Sequence, residues 1–146
     1  MAEPRDPQAV ADHVGRAMLA GDAASSGLGM QVEAMGPGTA RMSMRVQPHM
    51  LNGFRICHGG YITLLADSTF AFACNSYNQL TVAAGITVDF LAPAQPDDVL
   101  TAEAKEISRA GSTGLYDVQV RNQAGTLIAT LRGRSHRLKD RPTVPE

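Results

Sequence analysis

One carboxylate, Asp67, lies in the otherwise apolar run Gly59-Gly60-Tyr61-Ile62-Thr63-Leu64-Leu65-Ala66-Asp67, with no cation nearby in sequence. Burying an unpaired carboxylate is costly and usually shifts its pKa. A carboxylate kept in such a place is a candidate for nucleophilic or acid–base chemistry. Upstream stands His58, followed by two glycines, Gly59 and Gly60. If the run is a helix, its first backbone N–H groups lack intrahelical acceptors. Glycines leave no side chain between those groups and a ligand. A free N–H at the positive end of a helix can hold an anion or a developing oxyanion. An oxyanion donor facing a carboxylate suits hydrolysis of an activated acyl group: one part polarises the carbonyl, the other attacks it or directs water.

His58 and Asp67 are nine positions apart, which on a helix is about half a turn of azimuth and roughly 13 Å of rise. They cannot meet on one unbroken helix. If both serve one site, they come from two copies of the chain, and the site lies at a dimer interface. Each signal also has a plain structural reading. Asp67-Ser68-Thr69 could cap a second helix after a break. His58 could cap the helix or bond within its loop, and Gly59-Gly60 could be a tight turn. Cys57 beside His58 invites a thiolate reading, but sequence neighbours seldom place a thiol within reach of its base. His13, His49, His58 and His136 lack metal-ligand spacing, so no metal is expected.

The elements that must position these residues follow from pattern. The chain has 146 residues, 44% hydrophobic and 18% charged, with a formal net charge of -1. That suits one domain with a real core, residues 1–146, and excludes a strong field for nucleic acid or anionic membrane. No apolar run is long enough to span a bilayer, and the polar start does not read as a signal peptide. Two cysteines make a poor disulfide framework, which points to a cytoplasmic protein. Asp6-Pro7 reads as the start of a helix running to about Ala20 within an N-terminal segment, 1–25. A short strand is expected around Met30–Val32, and alternation predicts another over Ala40–Val46. Pro48 to Gly60 reads as a loop with Asn52-Gly53 as its turn. Gly59 to about Tyr77 reads as a helix buried on most sides. Four strands follow, Ala83–Leu91, Val99–Ile107, Leu115–Val120 and Thr126–Arg137, expected as a meander. A flexible tail is expected over 139–146. The economical solution is an α+β fold: one curved antiparallel sheet around one buried helix, with a sheet face and an edge left for a partner.

Met50-Leu51-Asn52-Gly53, Cys57-His58-Gly59-Gly60, Leu65-Ala66-Asp67, Ala71-Phe72-Ala73-Cys74-Asn75-Ser76 and Thr87-Val88-Asp89-Phe90-Leu91 together resemble the hot-dog-fold acyl-CoA thioesterases, in particular the phenylacetate-degradation branch often called PaaI. The resemblance runs from about Met50 through His136. It implies Asp67 as the catalytic carboxylate and the Gly59 N–H as the carbonyl's polarising group. It implies that His58 and Asn52 help place the thioester or water, and that Thr87 sits beside Asp67 from the other subunit. It also implies homodimers, often doubled into homotetramers. Coenzyme A enters as part of the substrate, with no separate cofactor, and phenylacetyl-CoA or a hydroxylated relative is the implied acyl-CoA.

Gly60, Arg109, Ser112, Thr113 and Arg134 are further candidates for substrate contact. Arg109, Ser112 and Thr113 lie in a glycine-rich turn and could meet coenzyme A phosphates. Arg132, Arg134, His136 and Arg137 form a basic end strand that could do the same, or could guard an exposed edge. Asp89 shares the face of Thr87 and could pair with an arginine. Two rival functions remain. A non-catalytic acyl-CoA-binding regulator should carry a DNA-binding arm, yet through Ser26 the chain has Arg5 and Arg16 against Glu3, Asp6, Asp12 and Asp22. A hot-dog hydratase or dehydratase would use a histidine with a carboxylate on another pattern.

Overall fold

The computed structural model describes residues 5–146. Helix α1 spans Pro7–Gly21, opened by Asp6, whose carboxylate accepts the Ala9 N–H at 3.2 Å. Asp22 closes α1 and caps a short helix, α2 (Ala23–Gly27), accepting the Ser25 N–H at 2.9 Å. In sequence Asp22 reads only as a stop, and α2 carries no periodic signal of its own. Strands β1 (Gln31–Gly36) and β2 (Thr39–Arg45) follow, then a 3-10 turn at Pro48–Met50. Helix α3 spans Gly59–Cys74, and β3 (Thr81–Phe90), β4 (Val99–Ala110), β5 (Thr113–Arg121) and β6 (Leu127–Arg137) complete the chain.

The six strands form one antiparallel sheet in the order β1-β2-β4-β5-β6-β3. Alternation sorts its faces. Met42, Met44, Leu100, Ala102, Tyr116, Val118 and Leu131 are buried on the inner face, whereas Arg41, Glu103, Lys105 and Arg132 are exposed on the other. Helix α3 crosses the inner face and touches all six strands. Its Ile62, Leu65, Ala66, Thr69, Phe70, Phe72 and Ala73 are buried, so almost no solvated stripe remains. Close approach is possible because Gly133 lies under Phe70: a β-carbon there would stand 2.8 Å from the ring.

Two expectations are corrected. Only β4, β5 and β6 form a meander; β3 pairs with β6 instead of β4. The segment 91–98 between β3 and β4 carries Pro93 and Pro96 and makes no tight hairpin. It crosses the end of the sheet, where the Ala94 carbonyl accepts the Cys57 N–H and the Asp98 carbonyl accepts the Val46 N–H, both at 2.8 Å. Residues 139–146, expected as a flexible tail, pack back onto the body. The Arg141 carbonyl accepts the Leu80 N–H at 2.8 Å, and the Thr143 hydroxyl donates to Asn75 Oδ1 at 2.6 Å. Val144 is buried, and the Pro145 carbonyl lies 2.7 Å from His13 Nε2. No helix among the described residues is long and apolar enough to cross a membrane.

Candidate active site

The N-terminus of α3 is held from three sides. The Cys57 N–H bonds to Ala94 and the His58 N–H donates to the Met50 carbonyl, each at 2.8 Å. The preceding turn is built by Asn52, whose Oδ1 accepts the Phe54 N–H at 2.9 Å and the Ile56 N–H at 3.4 Å. Arg55 takes the left-handed conformation there, with φ 61. Asn52 therefore has only its Nδ2 group to offer a ligand.

His58 is the N-cap of α3, and its Nδ1 accepts the Gly60 N–H at 2.8 Å. For that bond Nδ1 must be unprotonated, which leaves Nε2–H as the ring's donor. The capping reading holds, and the Gly60 N–H is occupied by that bond. The Gly59 N–H has no hydrogen-bond partner among the described residues. Phe90, on the inner face of β3, lies against Gly59. A β-carbon at position 59 would meet Phe90 Cζ at 2.9 Å, so a larger residue there must turn the exposed Phe90 ring aside.

Asp67 lies within continuous α3, which excludes the reading that it starts a second helix. It is eight residues from Gly59, about 12 Å along the axis. Its side chain is half-buried. Burial alone pushes its pKa above the ordinary 3.8, with no ion pair or hydrogen bond to offset the shift. The expected consequence is an acid limb in the kcat/KM–pH profile above 3.8. A limb at or below that value would show a solvated carboxylate. The neighbouring thiols do not compete as nucleophiles: burial pushes Cys57 up to about 11 and Cys74 up to about 12.

Thr87 does not share the face of α3. It pairs with the outward Arg132, whereas its neighbour Val88 pairs with the buried Leu131. Thr87 and Asp89 instead line an outer-face depression with Asp117 and Arg132. Thr87 lies on the edge strand, and its expected neighbour, Asp67 of the other subunit, belongs to a second copy of the chain. Asp89 is not the partner of Arg132, which forks onto Asp117 through Nε at 2.7 Å and Nη2 at 2.9 Å. That fork holds the Asp117 carboxyl below its usual range.

Arg109, Ser112 and Thr113 do come together. With Arg137, Ser135, Tyr116, Thr81 and Cys74 they line a cavity of about 190 Å³ at the C-terminal end of α3. Arg134, in the basic end strand, lies on the outer face and donates from Nη2 to the Ala84 carbonyl at 3.4 Å, away from that cavity. Arg137, three residues on, lines the cavity in its place. Among the described residues, no group of three or more His, Cys, Asp or Glu side chains could hold a metal ion.

One antiparallel sheet packed on one long helix is the hot-dog architecture of thioester hydrolases. The chain belongs to the thioesterase superfamily, whose model matches residues 54–129. It is 43% identical over 122 residues to the acyl-coenzyme A thioesterase PaaI of Escherichia coli K12, covering 84% of this chain and 87% of that one. The structure of the E. coli PaaI protein from the phenylacetic acid degradation operon superposes with a TM-score of 0.90 at 40% identity, covering 91% of this chain and 96% of that one. The TT0310 protein of Thermus thermophilus follows with a TM-score of 0.77 at 32% identity, covering 80% and 98%.

Proposed function

We propose that this chain is an acyl-CoA thioesterase that hydrolyses an arylacyl-CoA, such as phenylacetyl-CoA or its hydroxylated relatives, at a site shared between two subunits. The observation that carries this reading is the separation of a free Gly59 N–H from an unpartnered Asp67 on one unbroken helix. The thioester carbonyl binds at Gly59 of one protomer, and the developing oxyanion takes that N–H. Asp67 of the other protomer either attacks the acyl carbon, forming an anhydride that water then hydrolyses, or takes a proton from water that attacks directly. Coenzyme A leaves as the thiol, and the acid is released. In this reading His58 Nε2–H and the Asn52 amide orient the thioester or the water.

The edge strand supports the pairing. β3 is exposed along nearly its whole length, and it carries Val82, Ile86 and Phe90 at 44%, 41% and 54% exposure. An apolar edge with free backbone groups is a template for a second strand. If β3 pairs antiparallel with its own copy, the Thr81 end of one strand lies beside the Phe90 end of the other. Phe90 sits on Gly59, and Thr81 lines the Arg109 cavity. Such a dimer brings the oxyanion donor of one chain toward the carboxylate and cationic cavity of its partner. That cavity suits the phosphates of coenzyme A. Two free cysteines fit a reducing, cytoplasmic setting.

A panel of coenzyme A esters read by thiol release tests the substrate. The expected result is a kcat/KM for phenylacetyl- and hydroxyphenylacetyl-CoA above those for acetyl-, butyryl- and palmitoyl-CoA. A preference for the aliphatic esters would overturn the aryl assignment. Absence of hydrolysis across the panel, with water loss from a 3-hydroxyacyl ester, would favour the dehydratase reading.

A further inference from the structure

Arg109 sits near the end of the β4–β5 hairpin with its side chain 42% exposed. A free arginine there would sample many rotamers, and ordering it on a ligand would cost that freedom. Its guanidinium is already held. The Cζ atom lies 3.6 Å from the centroid of the Tyr77 ring, stacked over its face. Stacking occupies the guanidinium's flat side and Glu106 lies 3.8 Å from Nε, so the Nη edge is the one left for a ligand. Tyr77 is fixed in turn: its hydroxyl donates to Glu106 Oε1 at 3.1 Å. The same oxygen accepts the hydroxyl of the fully buried Tyr116 at 3.0 Å, so the platform is tied into the core. Burial and the bond to Glu106 push the Tyr77 phenol above its usual range, which keeps its O–H a donor at neutral pH.

We propose that Tyr77 is a positioning residue: it holds Arg109 turned toward the coenzyme A phosphates in the cavity with Ser112, Thr113 and Arg137. The proposal rests on the reading of that cavity as the phosphate site. Glu106 is a poorer probe than Tyr77. Its carboxylate lies 3.8 Å from Arg109 Nε, so removing it takes away both an ion-pair partner of the guanidinium and the anchor of Tyr77. The sequence hides this pair, because Tyr77 follows α3 and Arg109 lies 32 positions later.

The test compares a coenzyme A ester with the matching S-acyl pantetheine, which has the thioester but no phosphate. Tyr77→Leu is expected to raise KM for the coenzyme A ester by about three- to tenfold. Its kcat, and its KM for the pantetheine ester, should stay at wild-type values. Tyr77→Phe keeps the ring face but loses the bond to Glu106, so its KM should lie between those of wild type and Tyr77→Leu. Equal KM changes on both esters, no change on either, or a Tyr77→Phe defect matching Tyr77→Leu would overturn the platform. Arg109→Ala separates the two levels. If it leaves KM for the coenzyme A ester unchanged, the phosphate reading of the cavity fails. If it raises that KM while Tyr77→Leu does not, only the platform fails.

Discussion

Asp67→Asn should lower kcat by about 10²- to 10⁴-fold, the usual contribution of a positioned acid–base group, while the chain keeps its fold. The amide is nearly isosteric but neither attacks nor takes a proton. The same substitution should raise Tm near neutral pH, because it removes a charge that burial disfavours. The folded-state pKa of Asp67 lies above its ordinary value, so the folded chain binds that proton more tightly than the unfolded chain. The stability this confers is present in acid and lost as pH rises through the folded pKa. The gain in Tm should therefore fade as the buffer is acidified. Thermal melts at several pH values, beside single-substrate kinetics, check both halves. A variant that loses activity and melts lower at neutral pH would instead mark Asp67 as structural.

Ile86→Asp should remove turnover without unfolding the protomer. Ile86 stands at the middle of β3, pairs with Gly133 of β6 and is 41% exposed, on the margin of the inner face that α3 leaves uncovered. In a dimer joined through β3, two such aspartates meet near the two-fold axis, where like charges without partners are strongly disfavoured. The core residues Phe70, Leu131 and Tyr116 are untouched. Light scattering should show about half the wild-type mass with native circular dichroism, and thioester hydrolysis should be lost with the dimer. A monomer that retains hydrolysis would place both half-sites in one chain.

The parts of this site that sequence reveals are those set by local chemistry. Asp67 stands out because it interrupts an apolar helix, and Gly59 because helix termini leave donors free. The span of α3 follows from the same run, and its geometry separates the two half-sites before any coordinates are known. Misread residues depend on registers that no local pattern encodes. Thr87 and Arg134 face outward because Thr87 pairs with Arg132, and Arg132 and Arg134 alternate with the buried Leu131, Gly133 and Ser135. A one-residue slip there reverses every face. The strand order is hidden for the same reason: proline-bearing residues 91–98 look like a loose hairpin but cross the sheet end. The Gly60 N–H is taken by a side-chain cap that glycine spacing alone does not reveal. The tail packs because Asn75 and Asn78 offer bonds from distant positions.

Subunit complementation addresses the shared site most directly. Gly59→Pro removes the free N–H at a helical position where proline is tolerated. Its β-carbon crowds Phe90, whose half-exposed ring has room to turn. Each homodimer, Gly59→Pro or Asp67→Asn, should be nearly inactive. After subunit exchange at equal amounts, mixed dimers contain one site with neither lesion, so activity should return to about one quarter of wild type. Both variants folded, exchange verified by mass spectrometry and no recovery of hydrolysis would contradict a site built from Gly59 of one chain and Asp67 of the other.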